Sequence, residues 1–298
     1  MANIALVIGN GFDLDLGLMT KYSDFANDRN PEWRNFLEMK DIRDISKYRK
    51  EFVEHMQMAR EKEYWFDIEQ EIYRFVNGHF NPQEAQVGSI RMQFEQLRNC
   101  LKKYFRRVAV APNVKEKSLA KDLLIRLDSL DYGCNIITYN YTNCFSLCGL
   151  PQRKIHPIHG TLDWDMTLGC REYEGKKPIV RWDFLYKLMY QGTKDKLTQY
   201  FSNSQEVIIL GHSLNRIDYC YFEDLFEGIT QGISRCDHLT IICKDSNSEL
   251  QIRKNLEGNV DLSKIGRLID VQFIYTDLWY KEDVTTLMLY EQLCNRIA

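Results

Sequence analysis

Three features of this sequence predict an α/β fold, with a parallel sheet covered by helices on both faces and a large helical insertion. Short apolar runs end in turn chemistry at Asn3 to Ile8, Asn135 to Tyr139 and Glu206 to Leu210, as strands buried on both faces do. From the third run onward, helical and strand patterns alternate to the end, which implies parallel strands joined by crossover helices. The long stretch between the first two runs carries helical spacing with few Gly or Pro breaks. The 298 residues, 44% of them hydrophobic, suffice for a large buried core and exclude the disordered and fibrous classes.

The first strand runs straight into Gly9-Asn10-Gly11, with no basic region before it and no small-residue cleavage site, so it reads as a strand and not as a signal peptide. Residues such as Phe94, Leu97, Leu101, Tyr104 and Phe105, three and four apart, mark amphipathic helices. This places a helical insertion at 30–130 and the sheet in 1–29 and 131–298. Leu239 to Cys243 and Val271 to Tyr275 add two strands, and Leu287, Leu289 and Leu293 a final helix. The longest apolar runs are strand-sized, which predicts no membrane helix. A net charge of −3 and a pI near 6.1 give no global pull toward nucleic acid or anionic membrane, so neither is an expected partner. Nine cysteines without regular spacing read as reduced, mostly buried thiols, pointing to a cytoplasmic protein.

In an open parallel sheet ligands bind beyond the carboxyl ends of the strands, and four such places carry candidate chemistry. Gly9-Asn10-Gly11-Phe12-Asp13, with Gly17 beyond it, lets backbone amides approach a phosphate. Leu14 stands where the dinucleotide fingerprint has its third glycine, so a ligand-free tight turn remains open, as does Asp13 acting as a helix cap. Thr138-Tyr139-Asn140-Tyr141-Thr142 ends the second strand; Asn140 offers a ribose hydroxyl or a water both donors and an acceptor, unless it or Thr142 only caps a helix. His159-Gly160 puts a histidine where a general base belongs, although a lone histidine is more often structural. Gly211-His212-Ser213 follows the third strand and faces the same cleft, with a helix start capped by Asn215 as the plainer reading.

Other combinations fare less well. Cys144, Cys148, His156 and His159 make a poor zinc set, because two histidines three apart on an extended segment point to opposite faces; no metal is expected. Nothing in the sequence marks Cys144 as an activated thiolate. In Trp65-Phe66-Asp67-Ile68-Glu69-Gln70-Glu71, Asp67 and Glu71 share a helical face and Glu69 lies well round from them, which reads as a solvated surface.

Ile8-Gly9-Asn10-Gly11-Phe12-Asp13-Leu14, continuing through Gly17-Leu18-Met19-Thr20-Lys21-Tyr22 to Phe25, resembles the opening signature of the bacterial abortive-infection AbiH family of phage-defence proteins. Trp65-x-Asp67-Ile68-Glu69, Asn140-Tyr141-Thr142, His159-Gly160 and Gly211-His212-Ser213-Leu214 are similar to its later landmarks, in the same order. That family in turn resembles the sirtuins. Gly9, Gly11 and Gly17-Leu18-Met19 match their opening glycines, Thr138 to Thr142 their Thr-Gln-Asn-Ile-Asp, His159-Gly160 their catalytic His-Gly, and Gly211-His212-Ser213 their Gly-Thr-Ser. Met19 replaces their proline, Thr142 their aspartate, no arginine follows Phe25, and no paired Cys-x-x-Cys motifs follow Gly160, which removes the case for a protein deacylase.

The resemblance implies a three-layer, Rossmann-like sheet of the sirtuin/DHS-like NAD-binding type. It implies NAD as ligand or substrate, cleaved to nicotinamide and ADP-ribose, with Asn140 and His159 catalytic. Gly9, Asn10, Gly11, Phe12, Asp13, Gly17, Thr138, Gly211, His212 and Ser213 would then bind the nucleotide: the amides of Gly9 and Gly11 with Ser213 at the diphosphate, and Asp13 at a ribose hydroxyl or bracing its loop. A phage-derived trigger and a second copy of the chain are the partners this leaves room for. The alternative is a non-catalytic nucleotide-binding sensor of a phage-defence system; a nuclease is disfavoured by the acidic balance and the missing metal-carboxylate cluster.

Overall fold

The computed structural model describes residues 3–39, 50–62, 66–78, 84–130, 134–170, 180–187 and 191–298. The chain forms two compact units: Met1–Leu18, Ala111–Thr161 and Met189–Ala298 make the first, Met19–Val110 and Leu162–Leu188 the second. The first unit thus takes in 111–130 beside the sheet, and the second takes in 19–29 and 162–188 beside the helices.

The first unit is built on β1 (Ile4–Ile8), β2 (Cys134–Thr138), β3 (Ile155–Pro157), β4 (Glu206–Leu210), β5 (His238–Cys243) and β6 (Asp270–Tyr275). Among the described residues they form one open, all-parallel sheet in the order β3-β2-β1-β4-β5-β6, with Ile8 in register with Thr138 on one side and Leu210 on the other. β1 and β4 are buried at every position because both faces of the sheet are covered. On one face Ala5, Val7, Val207, Ile209, Leu239 and Ile241 pack with Phe201, Phe226 and Leu256 from the helices Gln191–Asn203, Glu223–Thr230 and Ser246–Leu256, and with Phe222 just before the second of these. Asp245 caps the last of these by accepting from Ser248 N at 2.8 Å.

The other face carries a buried ionic knot. Glu206 accepts from Thr240 Oγ1 at 2.8 Å and from Arg296 Nε at 2.7 Å, tying the closing helix Val284–Ile297 to the middle of the sheet. Tyr290 Oη donates to Asp122 at 2.6 Å, joining that helix to Leu119–Asp128.

In the second unit Pro31–Glu38 starts on an Asn30 cap with Pro31 at its first turn. Helix Glu51–Lys62 has its first amides taken by Gln93 Oε1, which accepts from Phe52 N and Val53 N. Ile68–Gly78 and Glu84–Val108 complete the unit around two aromatic clusters. Trp33 packs with Phe25, Phe36 and Phe66, while Phe75 packs edge-on against Phe52 and Trp182.

Candidate functional site

Strand order reverses between β1 and β4, and the candidate residues lie at the carboxyl ends of β1, β2, β3 and β4, all within the first unit. The glycines there serve loop packing. Gly9 N donates to Leu210 O at 2.9 Å and Gly11 N to Gly211 O at 2.8 Å. A Cβ on Gly11 would stand 2.5 Å from Gly211 Cα, and one on Gly9 2.5 Å from His212 Cα. Gly211 itself has φ 68°, a conformation that costs glycine little. The two amides expected to hold a diphosphate are therefore already donated to the β4 loop. Gly17, also at positive φ, closes the turn after Asn10–Asp15 and packs on the Lys115 side chain, and Phe12 is core.

Asp13 is buried and gathers the β2 loop around it. It accepts from Asn140 Nδ2 at 3.0 Å and from Thr142 Oγ1 at 3.0 and 2.9 Å. Asn140 Nδ2 also donates to Gly9 O at 3.1 Å, so two acceptors fix the amide's orientation and leave Oδ1 as its atom for a ligand. Asn140 N donates to Thr138 Oγ1 at 3.1 Å, which makes Thr138 the brace of the Asn140 turn. Asp13 thus ties its loop to that of Asn140 and Thr142.

His159 and His212 meet over one carboxylate that sequence reasoning missed. Asp218 Oδ1 lies 3.2 Å from His159 Nε2, and Oδ2 lies 3.6 Å from His212 Nε2. All three side chains are buried, and the Tyr139 ring packs against both imidazoles, at 5.3 and 4.3 Å between centroids. His212 Nδ1 accepts from Leu214 N at 3.0 Å, so the neutral ring carries its proton on Nε2, toward Asp218. His212 therefore faces the protein's own carboxylate and backbone. Leu214 sits at φ 49°, local strain of the kind stored where a turn must aim a side chain. Asn10 and Ser213 are exposed at the ends of β1 and β4, and Ser213 O accepts from Asn255 Nδ2 at 2.8 Å. Asn215, instead of opening a helix, accepts from Asp218 N at 3.0 Å and so shapes the turn that delivers Asp218.

The sequence model of the family described as bacteriophage abortive infection AbiH matches residues 5–236. The chain belongs to that family. No curated protein matches it. The AbiH match takes in β1 to β4, every candidate residue above, and the helical unit.

The AbiH landmark around Asp67 and Glu69 corrects the expectation of a solvated face. Asp67 caps Ile68–Gly78 by accepting from Glu69 N at 2.9 Å, while Glu69 and Glu71 are buried. Glu69 pairs with the buried Lys187 at 2.6 Å, and Glu71 pairs with His55 at 3.2 Å and Arg74 at 2.5 Å. A partner more than a hundred residues away in sequence, as Lys187 is from Glu69, cannot be read from a helical period. Trp65 lies outside the described residues. Burial pushes the thiols of Cys144 and Cys148 up, to about 12 and about 11, so both are neutral thiols near pH 7. Among the described residues no group of three or more His, Cys, Asp or Glu is placed to hold a metal, and no helix is long and apolar enough to cross a membrane.

Proposed function

We propose that this AbiH chain binds NAD at the reversal point of its sheet and hydrolyses the bond between nicotinamide and ribose, an activity that would starve an infected cell. The observation that carries the reading is convergence. Asn140, from the end of β2, donates to Gly9 O beyond β1, and His159, from beyond β3, packs against Tyr139 beyond β2, in a sheet ordered 3-2-1-4-5-6, the order of doubly wound dinucleotide-binding sheets. The likeness of Gly9 to Gly17, Thr138 to Thr142, His159-Gly160 and Gly211-His212-Ser213 to sirtuin landmarks supports the same ligand.

The chemistry asks little of the protein. Water attacks C1′ of the ribose, forming the new C–O bond as the C–N bond breaks. The bonding pair goes to the pyridinium nitrogen, so nicotinamide leaves neutral, and the water proton passes to His159. Asn140 Oδ1 orients the ribose or the water. Asp13, itself held by the Thr142 hydroxyl, holds Asn140. Because the amides of Gly9 and Gly11 are donated within the protein, the diphosphate falls to the exposed Asn10 and Ser213 at the loop rims.

The test is incubation of the purified chain with NAD, following nicotinamide and ADP-ribose by chromatography, beside an Asn140→Ala, His159→Ala double variant. Release by wild type alone is expected. A non-catalytic nucleotide sensor is the second reading, favoured by the way the cleft's own donors are already spent. Intact NAD, together with a rise in Tm on adding NAD or ADP-ribose, would select it.

A further inference from the structure

We propose that two copies of this chain join through the outer edge of β6, antiparallel about a two-fold axis at Gln272, so that one continuous sheet runs through both. The pairing is independent of the NAD-cleaving reading, because the candidate residues lie at the ends of β1 to β4 within a single chain.

Among the described residues β6 pairs with β5 alone. Asp270 N donates to Asp237 O at 3.0 Å, which turns the backbone groups of Asp270, Gln272 and Ile274 toward β5 and those of Val271 and Phe273 outward. The run Val271-Gln272-Phe273-Ile274-Tyr275 has no Gly, Pro or charge, the composition of a strand that pairs again wherever its edge is open. The opposite edge of the sheet is blunted. β3 has three residues, one of them Pro157, with exposed Arg153 and Lys154 just before it. A second copy fits β6 because the pairing is self-complementary. With Gln272 on the axis, Val271 of each chain lies opposite Phe273 of the other, and each such pair exchanges both of its backbone hydrogen bonds. The same register sets a β-branched side chain across from an aromatic one on both sides of the axis, a favourable cross-strand pair. Such a contact closes on itself: it consumes both β6 edges and leaves only the blunted β3 edges at the ends of the joint sheet. Large exposed apolar side chains stand on the elements around β6 and supply the rest of the interface. Leu268 lies two residues before the strand, and Leu250 is on the helix whose Glu249 and Arg253 touch Tyr275 and Phe273. Val284 and Met288 are on the closing helix, whose Arg296 reaches Gln272.

Sedimentation equilibrium of the full chain at micromolar concentration tests the pairing. Wild type is expected at twice the single-chain mass of 35.4 kDa. Val271→Lys, which places a charge on the edge, is expected at the single-chain mass with an unchanged circular-dichroism spectrum. A non-hydrogen-bonded antiparallel pair holds its Cα atoms about 4.5 Å apart, within disulfide reach. Gln272→Cys treated with oxidised glutathione is therefore expected to form a covalent dimer that wild type does not form. Monomeric wild type overturns the proposal, as does a dimer that survives in a folded Val271→Lys. If Val271→Lys fails to fold, the cross-link decides, and Gln272→Cys that stays single overturns the pairing. Monomeric wild type with the Val271 and Phe273 amides protected from hydrogen exchange would overturn it too, and would assign the cover of this edge to another part of the same chain.

Discussion

At the scale of single residues, the meeting of the β1 and β4 loops sets the tightest tolerance in the site. Gly11 lies in the short helix Asn10–Asp15, where alanine would gain about 1 kcal/mol of helical propensity over glycine. Its added Cβ would stand 2.5 Å from Gly211 Cα, and that atom is backbone with no rotamer to yield. Overpacking of this kind costs about 1–3 kcal/mol, so the clash wins. Gly88, inside Glu84–Val108, has nothing within 4 Å of the same added atom. Urea unfolding is expected to show Gly11→Ala less stable than wild type and Gly88→Ala more stable by about 0.5–1 kcal/mol; equal gains in both would refute the loop-packing role of Gly11. The positions of Gly9, Asn140, His159 and His212 were legible because strand-end turns have a recognisable chemistry. Their partners were not. Asp13 reads as a cap until Thr142 and Asn140 are seen around it, and Asp218 has no spacing rule that would tie it to His159, fifty-nine residues earlier.

Among the elements, the strands were the most legible part of the fold, because apolar β-branched runs buried on both faces leave little else to choose. β3 was harder: it has three residues, half-buried or exposed, at the edge of the sheet. Its hold on the neighbouring helix Gln191–Asn203 includes Tyr200 Oη, 2.9 Å from His156 Nε2. Burial pushes the His156 pKa below its ordinary 6.5, with Lys154 and Lys196 adding to the effect. A depressed folded-state value means the unfolded chain binds the proton more readily. The contribution of His156 is thus fully present above about pH 6.5 and is lost as pH falls from there toward the folded value. Thermal unfolding between pH 8 and pH 5.5 is expected to show a steeper loss of Tm in wild type than in His156→Gln. Parallel curves would mean that His156 titrates alike in both states.

On the scale of the whole molecule, the family match and the folding unit do not end together. The match stops at residue 236, before β5, β6 and the closing helix. Yet β4 depends on those later elements. β5 pairs with it from Glu206 to Leu210, and Leu239 and Ile241 share the core of Val207 and Ile209. Arg296, in the last turn of the chain, is the counterion of Glu206, whose side chain is 1% exposed. Removing one partner of such a buried pair costs about 3–5 kcal/mol, a large part of the roughly 5–15 kcal/mol that holds a domain together. A fragment ending at Cys236 would lose that pair and also leave β4 as an unprotected, apolar sheet edge. Such a fragment is expected to be insoluble or to melt without cooperativity by circular dichroism, while the full chain unfolds in a cooperative transition. Substituting Arg296→Met together with Glu206→Gln in the full chain is expected to recover most of what Arg296→Ala loses, because it removes the stranded charge and keeps the packed volume. A cooperatively melting 1–236 fragment would show instead that β1 to β4 hold the site's strand ends without the residues beyond them.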